Sequence, residues 1–384
     1  MTPKSPHPSP NSPRITDKKR AETTAIVPTP KEASCSYLDQ DYNTQITTCQ
    51  VSTEKEITEI FQPKRKNAEL LAESFSRLSL NSRAFRSSNC GTVIKFTHAI
   101  TDQGIDPHGH LTEANFCRDR LCPQCSARRS LKIFAQVSKI MTHMGNSYEY
   151  LFLTLTVPNC SPEELDSTLT RLFKAFDRLM KRRNIKRAVH GFFRALEVTR
   201  NDEHDTYHPH FHCVLAVNPS YFHKADYIPQ SEWLQMWRDT YGDQSITQVD
   251  IRKAKAKVDG NLGSVVAEIA KYAVKDTDYI FPGDPDKTDR VISILAGALK
   301  SRRLVQYGGI FKVLHKQLNL DDPEDGDLIH VDEDLHPAIA HIILTYSWSV
   351  GVYKLMSREL LSTDAKQFIP DAPDGSIIYL DLDN

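Results

Sequence analysis

Three histidines, His208, His210 and His212, stand at alternate positions where an apolar stretch, HPHFHCVLAV, begins. Successive side chains on an extended strand point to opposite faces. His210 and His212 therefore share one face with Val214 and Ala216, while Phe211, Cys213 and Leu215 take the other. Two imidazoles so placed can hold one divalent ion. A lone buried histidine is usually structural, but that account fits poorly for three at i, i+2 and i+4. Pro209 has no ladder donor and marks a strand's edge or first residue, which leaves His208 open as a ligand. Glu197 is the third donor. It lies in HGFFRALEVT (190–199), and the polar NDEHDTY joins this stretch to the histidines as a hairpin. Closure near residue 204 brings Glu197 close to Phe211 and its neighbours; the competing role is a surface pair with Arg194 or Arg200. One carboxylate with two imidazoles suits Mg²⁺ or Mn²⁺ better than structural Zn²⁺.

A second group of metal-binding residue types is Cys117-x4-Cys122-x2-Cys125. Eight cysteines in 384 residues are too few for a disulfide scaffold, and three within nine positions read as metal binding. Cys90, followed by Gly91, is the best fourth ligand, with His110 or His108 second. Four protein ligands make a closed, structural zinc site with no position left for chemistry. Arg118, Arg120, Arg128 and Arg129 surround these cysteines and are candidates for phosphate contact. Downstream, GSVVAEIAKYAVKD reads as a helix over 263–276, placing Glu268, Tyr272 and Lys275 at i, i+4 and i+7 on one stripe. A free phenol, with a pKa near ~10, is a poor nucleophile at neutral pH. A lysine one turn on favours the phenolate, a metal can polarise the phosphate under attack, and a carboxylate one turn before can act as a base. Alone, the stripe is an ordinary solvated helix face; downstream of the histidine strand it is a candidate nucleophile.

These residues need a scaffold. YEYLFLTLTVPN (148–159) is an apolar, β-rich run ended by Pro-Asn and reads as a buried strand. Ser161-Pro162-Glu163-Glu164 opens a helix by a capping box, and Leu165, Leu169, Leu172, Phe173, Phe176, Leu179 and Met180 recur at helical spacing. Lys181, Arg182 and Arg183 close it, suited both to a helix C-terminus and to DNA phosphates. Strands follow at 190–199 and 208–217, then a helix at 230–241 with Trp233 and Trp237 one turn apart as core, and a short strand at 248–252. The order of elements predicts an α+β fold, a central antiparallel sheet with flanking helices. Residues 1–65, rich in Pro, Ser and Thr, read as a disordered N-terminal region, and 66–145 as a helix plus the zinc-binding cysteine segment. The block that carries the histidine and tyrosine stretches is 146–316, and 317–384 is an acidic C-terminal region.

The net charge of −1 hides a gradient. Residues 81–316 carry 34 Lys and Arg against 25 Asp and Glu, whereas 317–384 carry 3 against 14. A basic middle fits a polyanionic partner. No apolar run reaches the ~18–20 residues of a membrane helix and the N-terminus lacks a secretory signal, so a cytoplasmic protein is expected. No GxxxxGK[ST] loop is present, so any strand unwinding must come from another protein.

FLTLTVPN (152–159), HPHFH (208–212) and KYAVK (271–275), in this order and with the cysteine segment FCRDRLCPQCSARR, resemble the motifs of HUH endonucleases. More narrowly they are similar to the single-tyrosine initiators of bacterial rolling-circle plasmids, over about residues 85–315. The resemblance implies that His210 and His212 hold the metal and that Tyr272 becomes joined to the 5′ end of the nicked strand, leaving a 3′-OH primer. It implies that Glu268 serves termination. The partners it implies are single-stranded or hairpin origin DNA of a small replicon, with a host helicase and polymerase. The positions one turn from Tyr272 are Glu268 and Asp276, a departure from the two-tyrosine branch. A rolling-circle transposase or mobilisation relaxase would use the same chemistry. A zinc-dependent DNA-binding regulator would leave His210 and Tyr272 idle.

Overall fold

The computed structural model describes residues 40–101, 104–223, 226–254, 266, 270, 273–331, 338, 340–362 and 366–368. The chain divides into units 1–44 and 45–384, and of the first only the opening turn of α1 is described. In chain order, α1 (Gln40–Glu56) runs through a π-helical turn (Ile57–Phe61) into α2 (Gln62–Arg77), and α3 (Asn81–Ser88) follows. Strands β1 (Val93–Thr101), β2 (Gly104–Ile105) and β3 (His110–Ala114) precede the long α4 (Pro123–Met144). Then come β4 (Glu149–Thr156), α5 (Leu165–Met180), α6 (Arg183–Ala188), β5 (Val189–Asn201), β6 (Thr206–Val217), α7 (Gln230–Tyr241) and β7 (Asp250–Lys253). The order ends with α8 (Pro285–Ala298), β8 (Val305–Gly309), α9 (Ile310–Gln317), β9 (Ala340–Ser349), β10 (Val352–Ser362) and β11 (Lys366–Phe368). No helix among the described residues is long and apolar enough to cross a membrane.

The α+β expectation holds. Five strands form an antiparallel sheet in the order β7-β4-β6-β5-β8. Its two faces are both covered, because the strands alternate two apolar sets rather than one apolar and one polar set. On one face Leu151, Leu153, Leu155, Leu196, Phe211, Cys213 and Leu215 pack against the buried stripe of α5 and against Trp233 and Trp237 of α7. On the other, Phe152, Phe193, Val214 and Ala216 meet Ile133, Val137, Ile140 and Met141 of α4 and Phe311 and Leu314 of α9. Pro123 suits the first turn of α4, and Gly145, at φ +51°, turns the chain out of it into β4. Of the capping box before α5, the glutamate half forms: Ser161 N–H donates to Glu164 Oε2 at 3.1 Å, and the helix itself starts at Leu165. The predicted hairpin closes as expected, with Asn201 opposite Thr206.

A second sheet was not foreseen. β1 is flanked by β9 on one side and by β3 and β2 on the other, with β10 and β11 beyond β9. The region read as an acidic C-terminus thus supplies half of a sheet whose centre comes from the cysteine region. Its β9–β10 hairpin turns on Val350 and Gly351, both at positive φ, the signature of a two-residue type I′ turn. The acidic composition of 317–384 masked the alternation Ile342, Leu344, Tyr346, all buried. Nor is the whole of 1–65 without structure: Phe61, at the end of the π-helical turn, packs edge-on to Phe96 of β1 at 5.6 Å. Residues 1–39 lie outside the described ones.

Candidate metal centre

Register explains how the sheet assembles three metal-binding side chains. Glu197 of β5 lies directly opposite His210 of β6, and Thr154 of β4 opposite His212. Directly opposed residues point to the same face. Glu197, His210 and His212 therefore converge on the α4 side of the sheet and are buried, at 6%, 8% and 8% exposure. His212 Nε2 stands 2.9 Å from Glu197 Oε2, His210 Nε2 3.4 Å from the same oxygen, and the two Nε2 atoms 3.2 Å apart. Donors in neighbouring positions of an octahedral ion with bonds near 2.1 Å are separated by about 3.0 Å, so the triangle fits one small divalent ion. It occupies one side only and leaves positions open on the other.

The distal ring nitrogens are held in place. His210 Nδ1 lies 3.1 Å from the carbonyl of His208, and His212 Nδ1 3.3 Å from Thr154 Oγ1. The carbonyl accepts from His210 Nδ1–H and leaves that ring's Nε2 lone pair for the ion, while the Thr154 hydroxyl, which can donate or accept, holds the His212 ring in orientation. His208 is therefore no member of the triangle; its backbone orients His210. Burial pushes the Glu197 carboxyl up, yet hydrogen bonds and charge from His210 and His212 outweigh it and hold the group well below the usual carboxylate range. Pro209 fits its place. Its missing N–H falls on the side of Cys160, where the regular β4 ladder has ended at Thr156.

The segment after the predicted nucleophile reaches this site. The Val198 N–H, one residue beyond Glu197, donates to the Ala273 carbonyl at 2.7 Å, just as Leu196 N–H donates to Leu304. Residue 273 thus extends the β8 edge along β5. Tyr272 and Glu268 lie outside the described residues. Ala270 N–H bonds Val266 in helical fashion, but Lys275 is extended and exposed and Asp276–Asp278 form a 3-10 turn. The helix expected to reach 276 ends sooner, and Lys275 is not on its stripe. The turn is anchored from α2, where Lys64 Nζ and Asn67 Nδ2 each reach Asp276 at 2.9 Å. The tyrosine motif offered no signal for that anchor.

The four cysteines also meet. Cys90 and Cys122 sulfurs are 3.4 Å apart, Cys90 and Cys125 3.6 Å, Cys117 and Cys125 3.7 Å, and all four lie within 4.8 Å of one another. Thiolates on one tetrahedral Zn²⁺, with bonds near 2.3 Å, stand about 3.8 Å apart. The backbone N–H groups of Cys117, Arg118 and Asp119 point at Cys90, Cys125 and Cys117 sulfurs, which stabilises negative charge there. Burial pushes the Cys122 thiol well up while hydrogen bonds from its neighbours pull Cys117 down. A dication removes that conflict. Cys90 is the fourth sulfur, and His108 and His110 stand apart from the group.

Two arginines expected on phosphates are buried instead. Arg128 donates to the carbonyls of Leu328 and Ile329, and Arg129 to those of Glu324, Asp119 and Arg118. They fasten the segment after α9 to α4, because a buried guanidinium needs its donors filled. Arg120 is half-buried, on the Leu299 and Arg302 carbonyls and Glu324, while Arg118 stays exposed. Of the basic trio after α5, Arg182 pairs with Asp239 at 3.1 Å, and Lys181 and Arg183 are exposed.

Residues 108–354 match the family Rep_1, described as replication protein. A "Protein rep" of Bacillus amyloliquefaciens is 37% identical over 297 residues, 71% of this chain and 85% of the relative. A "Protein rep" of a Bacillus species is 40% identical over 260 residues, 63% and 83% of the two chains. Another from Streptococcus pneumoniae serotype 2 is 36% identical, covering 69% and 81%. No solved structure matches.

Proposed function

This chain belongs to the Rep family of rolling-circle plasmid replication proteins, and we propose that its Glu197–His210–His212 triangle is where one origin strand is nicked by Tyr272. The observation that carries this reading is the triangle itself: three buried donors within 3.4 Å of one another, with orienting partners behind them. A bound Mg²⁺ or Mn²⁺ would supply Lewis-acid polarisation of the scissile phosphate. The chain's own groups do the rest. Glu197, His210 and His212 hold the donors in a rigid sheet, and Thr154 and the His208 carbonyl fix the ring orientation. The Ala273 carbonyl, tied to Val198, keeps the segment that follows Tyr272 beside Glu197.

The Tyr272 phenol oxygen attacks phosphorus. The bond to the 3′ oxygen breaks, a 5′-phosphotyrosine forms, and the strand leaves as a free 3′-OH that takes up a proton. Glu268 activates water when the cycle closes, so that termination begins as a hydrolysis. The ester conserves the bond energy, and a host helicase and polymerase extend the primer. Cys90, Cys117, Cys122 and Cys125 would hold structural zinc, since four sulfurs leave no position for substrate. The exposed Arg118, Lys181 and Arg183 are the DNA contacts, whereas Arg120 and Arg182 are engaged by Glu324 and Asp239. The relatives' shared name favours replication over transposition or mobilisation.

The test is a nicking assay on single-stranded origin DNA from the protein's own replicon. Tyr272→Phe should bind DNA and form no covalent adduct. An adduct that persists would place the nucleophile elsewhere; Tyr279, the next tyrosine in the sequence, is buried with its hydroxyl on the Leu121 carbonyl and is not placed for that role. Glu268→Gln should still nick while failing to release unit-length circles; equal loss of both steps would remove Glu268 from termination.

A further inference from the structure

A cleft of about 730 Å³ opens against the cysteine knot, walled by the end of α2, by α3, by residues 118–121 and by the C-terminal end of α8. Its floor is apolar, with Leu78, Leu121 and Leu295 among the lining residues. Five cations line it against one carboxylate, Asp119. Two of the five are already neutralised: Arg83 grips Asp119 with two bonds of 2.8 and 2.9 Å, and Arg120 pairs with Glu324 at 3.2 Å. The other three, Arg86, Arg118 and Lys300, are exposed, and among the described residues none has a carboxylate within ion-pair distance. Arg86 and Arg118 are steadied only by the carbonyls of Cys117 and Asp325, at 3.2 and 3.3 Å. The guanidinium charges are thus positioned but uncompensated.

We propose that this cleft holds an unpaired stretch of the origin strand outside the nicked segment, its phosphates on Arg86, Arg118 and Lys300 and a base on the leucine floor. The inference rests on the function proposed above. A leucine floor below a cationic rim suits an unstacked nucleotide; a duplex keeps its bases stacked and offers the rim phosphates alone. Among the described residues no aromatic ring lines the cleft, so charge dominates the affinity. The cleft floor is tied through the protein interior to the segment that borders the metal triangle. Leu121, in its floor, accepts a hydrogen bond from Tyr279 Oη at 2.5 Å. Tyr279 ends the segment that begins at Ala273, whose carbonyl holds Val198 beside Glu197.

The experiment uses the full-length protein and two labelled single strands from its own origin, one covering only the nick site and one extended on both sides. Arg86→Glu with Lys300→Glu should leave the nicking rate on the short strand within about two-fold of wild type. Affinity for the long strand should fall by roughly ten-fold or more, and the slope of log affinity against log salt should flatten by about 1.4, two contacts at ~0.7 each. Arg86→Ala with Lys300→Ala, the milder pair, should show the same direction at smaller amplitude and guards against misfolding of the first. Wild-type affinity and slope in both variants would overturn the proposal, as would equal losses on the short and long strands. A loss seen only with duplex DNA would overturn it too. A wild-type protein that fails to nick the short strand would refute the proposed function instead.

Discussion

The cysteine cluster and the Glu197–His210–His212 triangle are both compact groups of metal-binding side chains, yet the chain builds them in opposite ways. The cysteines come from three separate places, just past the end of α3, the loop after β3 and the first turn of α4. The triangle comes from two paired strands inside a sheet covered on both faces. In the first, ligands hold the backbone together; in the second, the backbone holds the ligands. The first offers four sulfurs, a full tetrahedral set, while the second offers three donors, fewer than an octahedral ion takes. Closure suits a fold and openness suits chemistry. The difference teaches where damage should appear when either is broken.

The largest effect is expected from Cys122→Ser. Structural zinc contributes on the order of 10 kcal/mol of apparent binding energy to folding, so the variant should purify without zinc and melt without a cooperative transition. A zinc-free variant that melts like wild type would end the idea that the knot is structural. Next comes His210→Ala with His212→Ala. Fold and zinc content should be unchanged while nicking falls roughly a thousand-fold, the ~4 kcal/mol that a Lewis acid supplies to a phosphoryl transition state. EDTA should reproduce this loss in wild type, and Mg²⁺ or Mn²⁺ should reverse it. Loss of the zinc in this variant would erase the contrast drawn above.

Thr154→Val keeps the shape of the side chain and removes the oxygen behind His212. Affinity for Mn²⁺, read by calorimetry, should drop about ten-fold, with no change in zinc. The smallest effect is expected from Asp276→Asn, which weakens the hold of Lys64 on the segment after Tyr272. With Lys64 about a third exposed, stability should change by about 1 kcal/mol or less, and nicking by a few-fold. A larger loss in nicking than in stability would show that this anchor positions the segment.

The triangle was legible because its spacing is local. A period of two places His210 and His212 on one face, and the hairpin turn at residues 202–205 sets Glu197 opposite His210. The five-stranded sheet was legible for the same reason, since each of its strands carries its own apolar pattern. What escaped depends on partners distant in sequence. Arg128 and Arg129 read as phosphate ligands because their type suits it; only the return of residues 318–331 shows that carbonyls claim them. The helix ending before Ala273 has no local stop signal, and the chain there follows the free edge of β5 instead of its own propensity. The second sheet was hidden because β1 and β9 lie far apart in sequence and the acidic residues around 321–334 suggested a tail.

That sheet has a consequence for how the protein is made. Val93 pairs with Ser347 and Ile100 with Ala340, so β1 waits for a strand about 250 residues further along the chain. At a bacterial ribosome adding ~5–20 residues per second, β1 spends on the order of ten seconds to a minute with one edge open. An open edge with alternating apolar side chains is a template for the wrong neighbour. The α1–α2 helices, made first, pack on the same apolar face through contacts such as Phe61 on Phe96, and so cover the side chains while the backbone still waits. A message cut short before β9 would yield a chain with its metal triangle encoded and its second sheet unfinished.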